Sequence, residues 1–321
     1  MMKSLYPLFG IVTVLNTPFT NTDKIDTKSL IKNVKGALNA GVSGFLVPAM
    51  ASEVYKLSLG ERLEMISCVL DEVNGRVPVI AGGGGTELSE SKKVIGSYVA
   101  MGCKNILFQV PYHNDKQFFD HFMELADLGP EMVMLQDWDA TGYGLSDDLI
   151  CKLFTEVEAF RCLKIETVPA GIKYSRIREL TENRLNISGG WAVTQMIEGL
   201  ERGVHAFMPT GMHYIYTKIY RDYMDGKHIE AKRLFHELSS VLAFSNQHLD
   251  ISIHFFKRLL YRQGIYSTSL TRQPILKFDA VHEGISAELI SWIIRTEARI
   301  KKEMIDTGTA AGNSSMPDNI L

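Results

Sequence analysis

The sequence predicts an α/β chain, a (β/α)8 TIM barrel followed by a C-terminal helical extension. Three observations predict it. Short runs rich in Val, Ile, Leu and Phe recur eight times up to residue 225, each followed by a helical hydrophobic period. The runs are nearly continuous in hydrophobicity, as strands buried on both faces of a parallel sheet are. Past Gly226 the strand signal stops and helical periods alone continue. Eight alternating units fit a closed barrel, with a doubly wound open sheet as the alternative that spacing does not separate.

The expected strands are, in order, residues 9–14, 44–48, 77–81, 105–110, 132–136, 161–165, 185–188 and 204–208. Between them Leu30, Ile31, Val34, Ala37 and Leu38 recur at helical spacing, as do Leu63, Ile66, Leu70 and Val73, and later Val193, Met196, Ile197 and Leu200. Beyond the barrel, amphipathic stripes run through Ala231, Leu234, Leu238 and Val241, through Ser252, Phe255, Phe256 and Leu259, and through Leu289, Ile290, Ile293 and Ile294. The chain therefore divides into a barrel at 1–225 carrying the active site and a helical region at 226–304, packed on the barrel or on a neighbouring subunit. The polar, aperiodic end at 305–321 is expected to be disordered.

Composition narrows the function classes. With 45 % hydrophobic and 22 % charged residues the chain can bury a large core. A net charge of −3 with no basic block gives nucleic acid nothing to hold. No run approaches the ~18 apolar residues of a membrane helix. The start, MMKSLYPLFGIVTVL, resembles a signal peptide superficially, but Pro7 interrupts it and it runs on into a strand. The cysteines at 68, 103, 151 and 162 have no metal-ligand spacing and read as reduced, which points to the cytoplasm. Nine scattered histidines form no HxH or HExxH arrangement, so no metal and no cofactor is expected.

In a barrel of this kind the active site lies at the C-terminal ends of the strands. Those ends offer Ser52 and Glu53, the glycines at 82–85, Tyr112 and His113, Gln136 and Asp137, Lys164 and Glu166, Gly189 and Gly190, and Thr210. Lys164 stands out because Leu163 and Ile165 flank it. Desolvation there disfavours the ammonium and frees an amine to attack a carbonyl and form a Schiff base. The competing reading is a lysine paired with a barrel carboxylate such as Glu166. The four glycines at 82–85 lack the strand–GxGxxG–helix spacing of a dinucleotide site, so they read as loop.

These residues resemble the dihydrodipicolinate synthase / N-acetylneuraminate lyase family, class I aldolase-like barrels, over residues 10–299. The resemblance is carried by GIVTVLNTPFT, by RVPVIAGGGG at 76–85, by QVPYHN at 109–114, by LKIET around Lys164, by SGGWAVTQMIEGLERGVHAFM at 188–208, and by Pro274. It implies that Lys164 forms a Schiff base with pyruvate or a related 2-oxo acid. It also places Glu53 on the acidic end of the strand-2 motif and Tyr112 and His113 on an aromatic pair, one member of which is lent across a dimer interface.

Two departures accompany the match. Where the family has Gly-Thr-Thr-Gly-Glu, this chain has Ala49-Met50-Ala51-Ser52-Glu53, and where it has a proton-shuttling tyrosine on strand 5, this chain has Gln136. A glutamine hydrogen-bonds but does not shuttle a proton near neutral pH. Asp137, His113, Tyr112 and Tyr143 are the candidates to replace it. The expected catalytic set is thus Lys164, Gln136, Asp137 and Tyr112, with Ala51, Ser52, Glu53, His113, Glu166, Gly190 and Met208 lining the substrate.

The resulting expectation is a lyase of aldolase or dehydratase type acting on a 2-oxo acid, assembled as a homo-oligomer, dimer or tetramer. One rival is a non-catalytic paralogue that binds a small acid without turning it over. Another uses Asp137 and Glu166 as an acid/base pair without the lysine.

Overall fold

The computed structural model describes residues 3–306. Eight parallel strands follow one another around a closed barrel: β1 (Gly10–Val14), β2 (Gly44–Leu46), β3 (Val79–Gly82), β4 (Asn105–Phe108), β5 (Met132–Asp139), β6 (Phe160–Thr167), β7 (Asn186–Gly189) and β8 (Ala206–Phe207). Pairing of Gly10 with Ala206 and Ile11 with Phe207 closes it, which decides against the open sheet. The interleaved helices are α1 (Thr27–Asn39), α2 (Leu59–Val73), α3 (Leu88–Ala100), α4 (Asp115–Ala126), α5 (Asp147–Glu156), α6 (Ala170–Leu180), α7 (Met196–Glu201) and α8 (His213–Met224). Then come α9 (His228–Ser245), α10 (Leu249–Arg262) and α11 (Ala280–Asp306).

Local chemistry sets several of these starts. Asp26 accepts from Ser29 N ahead of α1, Ser146 from Leu149 N ahead of α5, and Ser58 with Glu61 forms a capping box on α2. Each satisfies an N–H that the helix itself leaves unpaired.

Strand alternation divides the core in two. Val12, Leu46, Ile80, Leu107, Met134 and Cys162 fill the barrel. Ile11, Phe45, Ala81, Ile106, Leu135 and Leu163 face outward against the helices. Two strands are longer than their apolar runs suggest: β5 reaches Asp139 and β6 reaches Thr167. The extra length is polar, because it rises out of the core at the C-terminal mouth. Register there aligns Gln136 with Lys164 and Lys164 with Ser188.

The helical extension is fastened to the barrel by buried charge. Lys257 on α10 donates to Glu53 in the loop after β2, both side chains being fully buried. Glu297 on α11 accepts from Tyr214 N at the start of α8 at 3.0 Å, and from Gln263 Nε2 at 2.6 Å. Of the end expected to be disordered, residues 305 and 306 belong to α11, and 307–321 lie outside the described residues. Among the described residues no helix is long and apolar enough to cross a membrane.

Candidate active site

Two inward positions on one strand create the site. The period of two on β6 points both Lys164 and Glu166 into the barrel mouth, where Nζ and Oε2 lie 2.5 Å apart with each side chain 7 % exposed. Glu166 is held on every side. Trp191 N donates to Oε1 at 2.7 Å, and Gln136 Nε2 donates to Oε2. Gly190 lets the carboxylate lie against the backbone, since a Cβ there would stand 2.2 Å from Oε1. Burial by itself would raise the Glu166 carboxyl, but the Lys164 charge and the bonds from Lys164, Trp191 and Gln136 outweigh it. They hold it below the ordinary carboxylate range.

Behind Glu166 runs a row of amides. Tyr55 Oη donates to Gln109 Oε1 at 3.3 Å, Gln109 Nε2 donates to Gln136 Oε1 at 2.5 Å, and Gln136 donates on to Glu166. Every N–H in the row points toward the carboxylate, which favours its ionised form.

Lys164 and Glu166 open into a cavity of ≈ 70 Å³. Val14, Ala49, Met50, Ala51, Gln136 and Met208 form its walls, Trp138 and Trp191 its rim. Thr210, Asn246, His248, Leu249 and Ser252 complete it from the far end of the chain. The arrangement pairs a buried amine with a carboxylate able to take and return its proton, under partly apolar walls that weaken competing hydration.

The structure brings Ala51, Gln136, Lys164, Glu166 and Met208 to one cavity, with Gly190 against Glu166. It does not bring the other expected residues there. Asp137, one position on from Gln136, points out of the barrel and pairs with Lys173 of α6 at 2.5 Å, both side chains being buried. It cannot shuttle protons for Lys164. Glu53 likewise turns away, to Lys257 and Lys56 and to Arg272 N at 2.9 Å, from a left-handed backbone (φ 58°). The Ser52 hydroxyl donates to Leu15 O at 2.5 Å and accepts from Ala49 N, so it braces the loop.

Tyr112 is exposed, donates to Asp115 at 2.8 Å and lines an adjoining cavity of ≈ 430 Å³ shared through Met50, Gln136 and Trp138. His113 is exposed and lines neither cavity. Tyr143 donates to Asp147 at 2.9 Å.

Sequence reasoning missed Trp138, Trp191 and the wall from Asn246 to Ser252. A period-of-two reading of β5 and β6 would have found the first, since Trp138 registers with Glu166. Nothing local marks the wall, which is brought in by the path of α9 and α10. Among the described residues no group of three or more His, Cys, Asp or Glu is placed to hold a metal.

Residues 7–291 match the model of the dihydrodipicolinate synthetase family. The chain belongs to this family. Its members are lyase-type enzymes, and curated relatives in it carry more than one activity. The chain is 28 % identical over 239 residues to the 4-hydroxy-tetrahydrodipicolinate synthase of Methanopyrus kandleri, covering 73 % of this chain and 80 % of the relative. It is 24 % identical over 294 residues to the L-2-keto-3-deoxyarabonate dehydratase of Azospirillum brasilense, covering 88 % and 92 %. Among solved structures, dihydrodipicolinate synthase from Rhodopseudomonas palustris superposes with a TM-score of 0.80 at 18 % identity, covering 91 % of this chain and 99 % of that one. That likeness is one of fold.

Proposed function

We propose that the protein is a Schiff-base lyase of the dehydratase type, acting through Lys164 on a 2-oxo-3-deoxy sugar acid. The observation that carries the reading is Glu166, a carboxylate 2.5 Å from the Lys164 amine where the chain has no strand-5 tyrosine. Similarity over most of its length to an enzyme named for L-2-keto-3-deoxyarabonate dehydration supports the substrate class.

Glu166 is ionised at rest; as the substrate enters, Lys164 gives its proton to Glu166 and the free amine attacks the C2 carbonyl. Glu166 returns the proton to the carbinolamine hydroxyl, which leaves as water and forms the iminium. The carboxylate then removes a proton from C3, and the electron pair becomes the enamine. The enamine expels the C4 hydroxyl, which takes the proton from Glu166 and departs as a second water. Hydrolysis of the iminium consumes one water and frees Lys164, so the balance is loss of one water from the substrate. Gln136 touches Glu166 and positions it. It does not exchange protons itself.

A homo-oligomer, dimer or tetramer, is part of the same proposal. Tyr112 (55 % exposed) and Trp138 (49 % exposed) form the apolar surface that a second copy would cover. Two of the four free cysteines are buried, which fits a reducing, cytoplasmic setting.

The test is borohydride reduction in the presence of pyruvate and of a 2-oxo-3-deoxypentonate, followed by peptide mass analysis. A reduced adduct on Lys164, absent from Lys164→Ala, together with dehydration of the pentonate, is the expected result. No adduct on the wild-type protein with any 2-oxo acid tried refutes the proposal.

A further inference from the structure

An ionised carboxylate only accepts hydrogen bonds, so each group that faces Glu166 has to turn a donor to it. The Lys164 ammonium and Trp191 N have no choice, being donors only. Gln136 does have one. Its amide carries a carbonyl at one corner and an N–H at the other, and half a turn about its last bond would set the carbonyl against the carboxylate. Something behind Gln136 must select the orientation.

Gln109, directly after β4, is placed to do so. Its Nε2 donates to Gln136 Oε1 at 2.5 Å, which holds the carbonyl on the far side and leaves the Gln136 N–H for Glu166. Its own Oε1 accepts from the Tyr55 hydroxyl at 3.3 Å, so its orientation is set in turn. Gln109 and Tyr55 line the larger adjoining cavity and not the one into which Lys164 opens, and they act on Glu166 only through Gln136. Gly84 makes the seat for the Gln109 amide. A Cβ on Gly84 would run into Gln109 Oε1 and stand 3.2 Å from Gln109 Cβ, so this glycine of the run at 82–85 is required by a close approach and not only by a loop.

We infer that Gln109, seated against Gly84, is a positioning residue of the site: it selects the Gln136 orientation in which an N–H, and not a carbonyl, meets Glu166. This rests on the Schiff-base reading above, in which an ionised Glu166 takes the proton of Lys164. Without Gln109 the Gln136 carbonyl loses its donor, the amide turns for part of the time, and its oxygen repels the carboxylate. Protonation of Glu166 then sets in at higher pH. The other groups around Glu166 stay as they are: Lys164, Trp191 N, and Tyr174 of α6, which lies near enough to feel its charge. Asp137 and Lys173 are paired with each other, Arg62 and Glu90 act on Tyr55, and His248 lines the cavity without touching the row.

The experiment follows the rate of pyruvate adduct formation on Lys164 against pH, trapped with excess cyanoborohydride, in the wild type, Gln109→Leu, Gln109→Glu and Gly84→Ala. The worth of one hydrogen bond corresponds to a shift of up to about one pH unit. The acid limb is expected to move up by that order in Gln109→Leu. It should move the same way in Gly84→Ala, which displaces the Gln109 amide and leaves every polar group of the row in place. In Gln109→Glu it moves furthest, because that carboxylate only accepts and draws the Gln136 N–H away from Glu166. Adduct formation on the pH plateau shows that each variant is folded. An acid limb unmoved in both Gln109→Leu and Gly84→Ala overturns the positioning role, since a merely structural role lowers the rate equally at every pH. No adduct on the wild type at any pH overturns the Schiff-base reading instead.

Discussion

Replacing Glu166 by glutamine should separate attachment of the substrate from its conversion. The side chain keeps nearly its volume, and its Oε1 still accepts from Trp191 N, the bond that measures 2.7 Å in the native protein. What changes is the other end. An amide nitrogen now faces Lys164 Nζ and Gln136 Nε2, so three N–H groups converge where a carboxylate had received two of them. Adduct formation with pyruvate loses the acid that protonates the carbinolamine hydroxyl and slows, yet under prolonged trapping, with water as the proton donor, it persists.

Conversion does not, because removal of the C3 proton has lost its base. General acid–base catalysis contributes about 10²–10⁴-fold, or about 3 to 5 kcal/mol of barrel-mouth transition-state stabilisation. Single-turnover trapping on Lys164 measured beside steady-state dehydration distinguishes the two steps. If Glu166→Gln dehydrates within tenfold of the wild-type rate, Glu166 is not the base and the mechanism fails.

Two further outcomes test the placement of charge elsewhere. Asp137→Asn leaves Lys173 buried without its counterion, which costs about 3–5 kcal/mol; at roughly 2 °C per kcal/mol the melting temperature falls by about 6–10 °C. Turnover per folded molecule is expected to be unchanged, and lost turnover with an unchanged melting temperature would contradict the outward placement of Asp137. Glu297 is pushed up to about 7 by burial, against the opposing bonds from Tyr214 N and Gln263. Its folded value lies above the unfolded one, so its contribution is fully present below about pH 4.5 and is lost as pH rises through about 7, some 3 kcal/mol in all. Glu297→Gln cannot ionise and should melt higher than the wild type at pH 8 while matching it near pH 4.5; melting curves that stay parallel across that range would refute the assignment.

How much of this was legible in the sequence follows from which forces are local. The strands of the barrel announce themselves because each is buried on both faces, and Lys164 announces itself because it interrupts such a strand. Glu166 was visible as its neighbour, and the period of two was enough to put both on the inner face. The same period separates Gln136 from Asp137, so one of them had to face outward, and Asp137 does. Glu53 is different in kind. Its direction is set by a left-handed backbone and by Lys257, which lies more than two hundred residues away in the chain. Asn246, His248 and Ser252 sit in an ordinary helix-to-helix connection, and no local pattern records that the connection is folded over the barrel mouth.

That last wall has a consequence for how the protein is made. A nascent chain that has emerged as far as α8 holds every strand of the barrel, along with Lys164 and Glu166, yet the pocket is still open on one side and Glu53 still lacks Lys257. Competence arrives late in synthesis, when α9 and α10 fold over the mouth. For anyone cutting or grafting the molecule, residue 225 is consequently a poor seam: a fragment ending there keeps Lys164 and Glu166 and discards part of the wall of the cavity they open into.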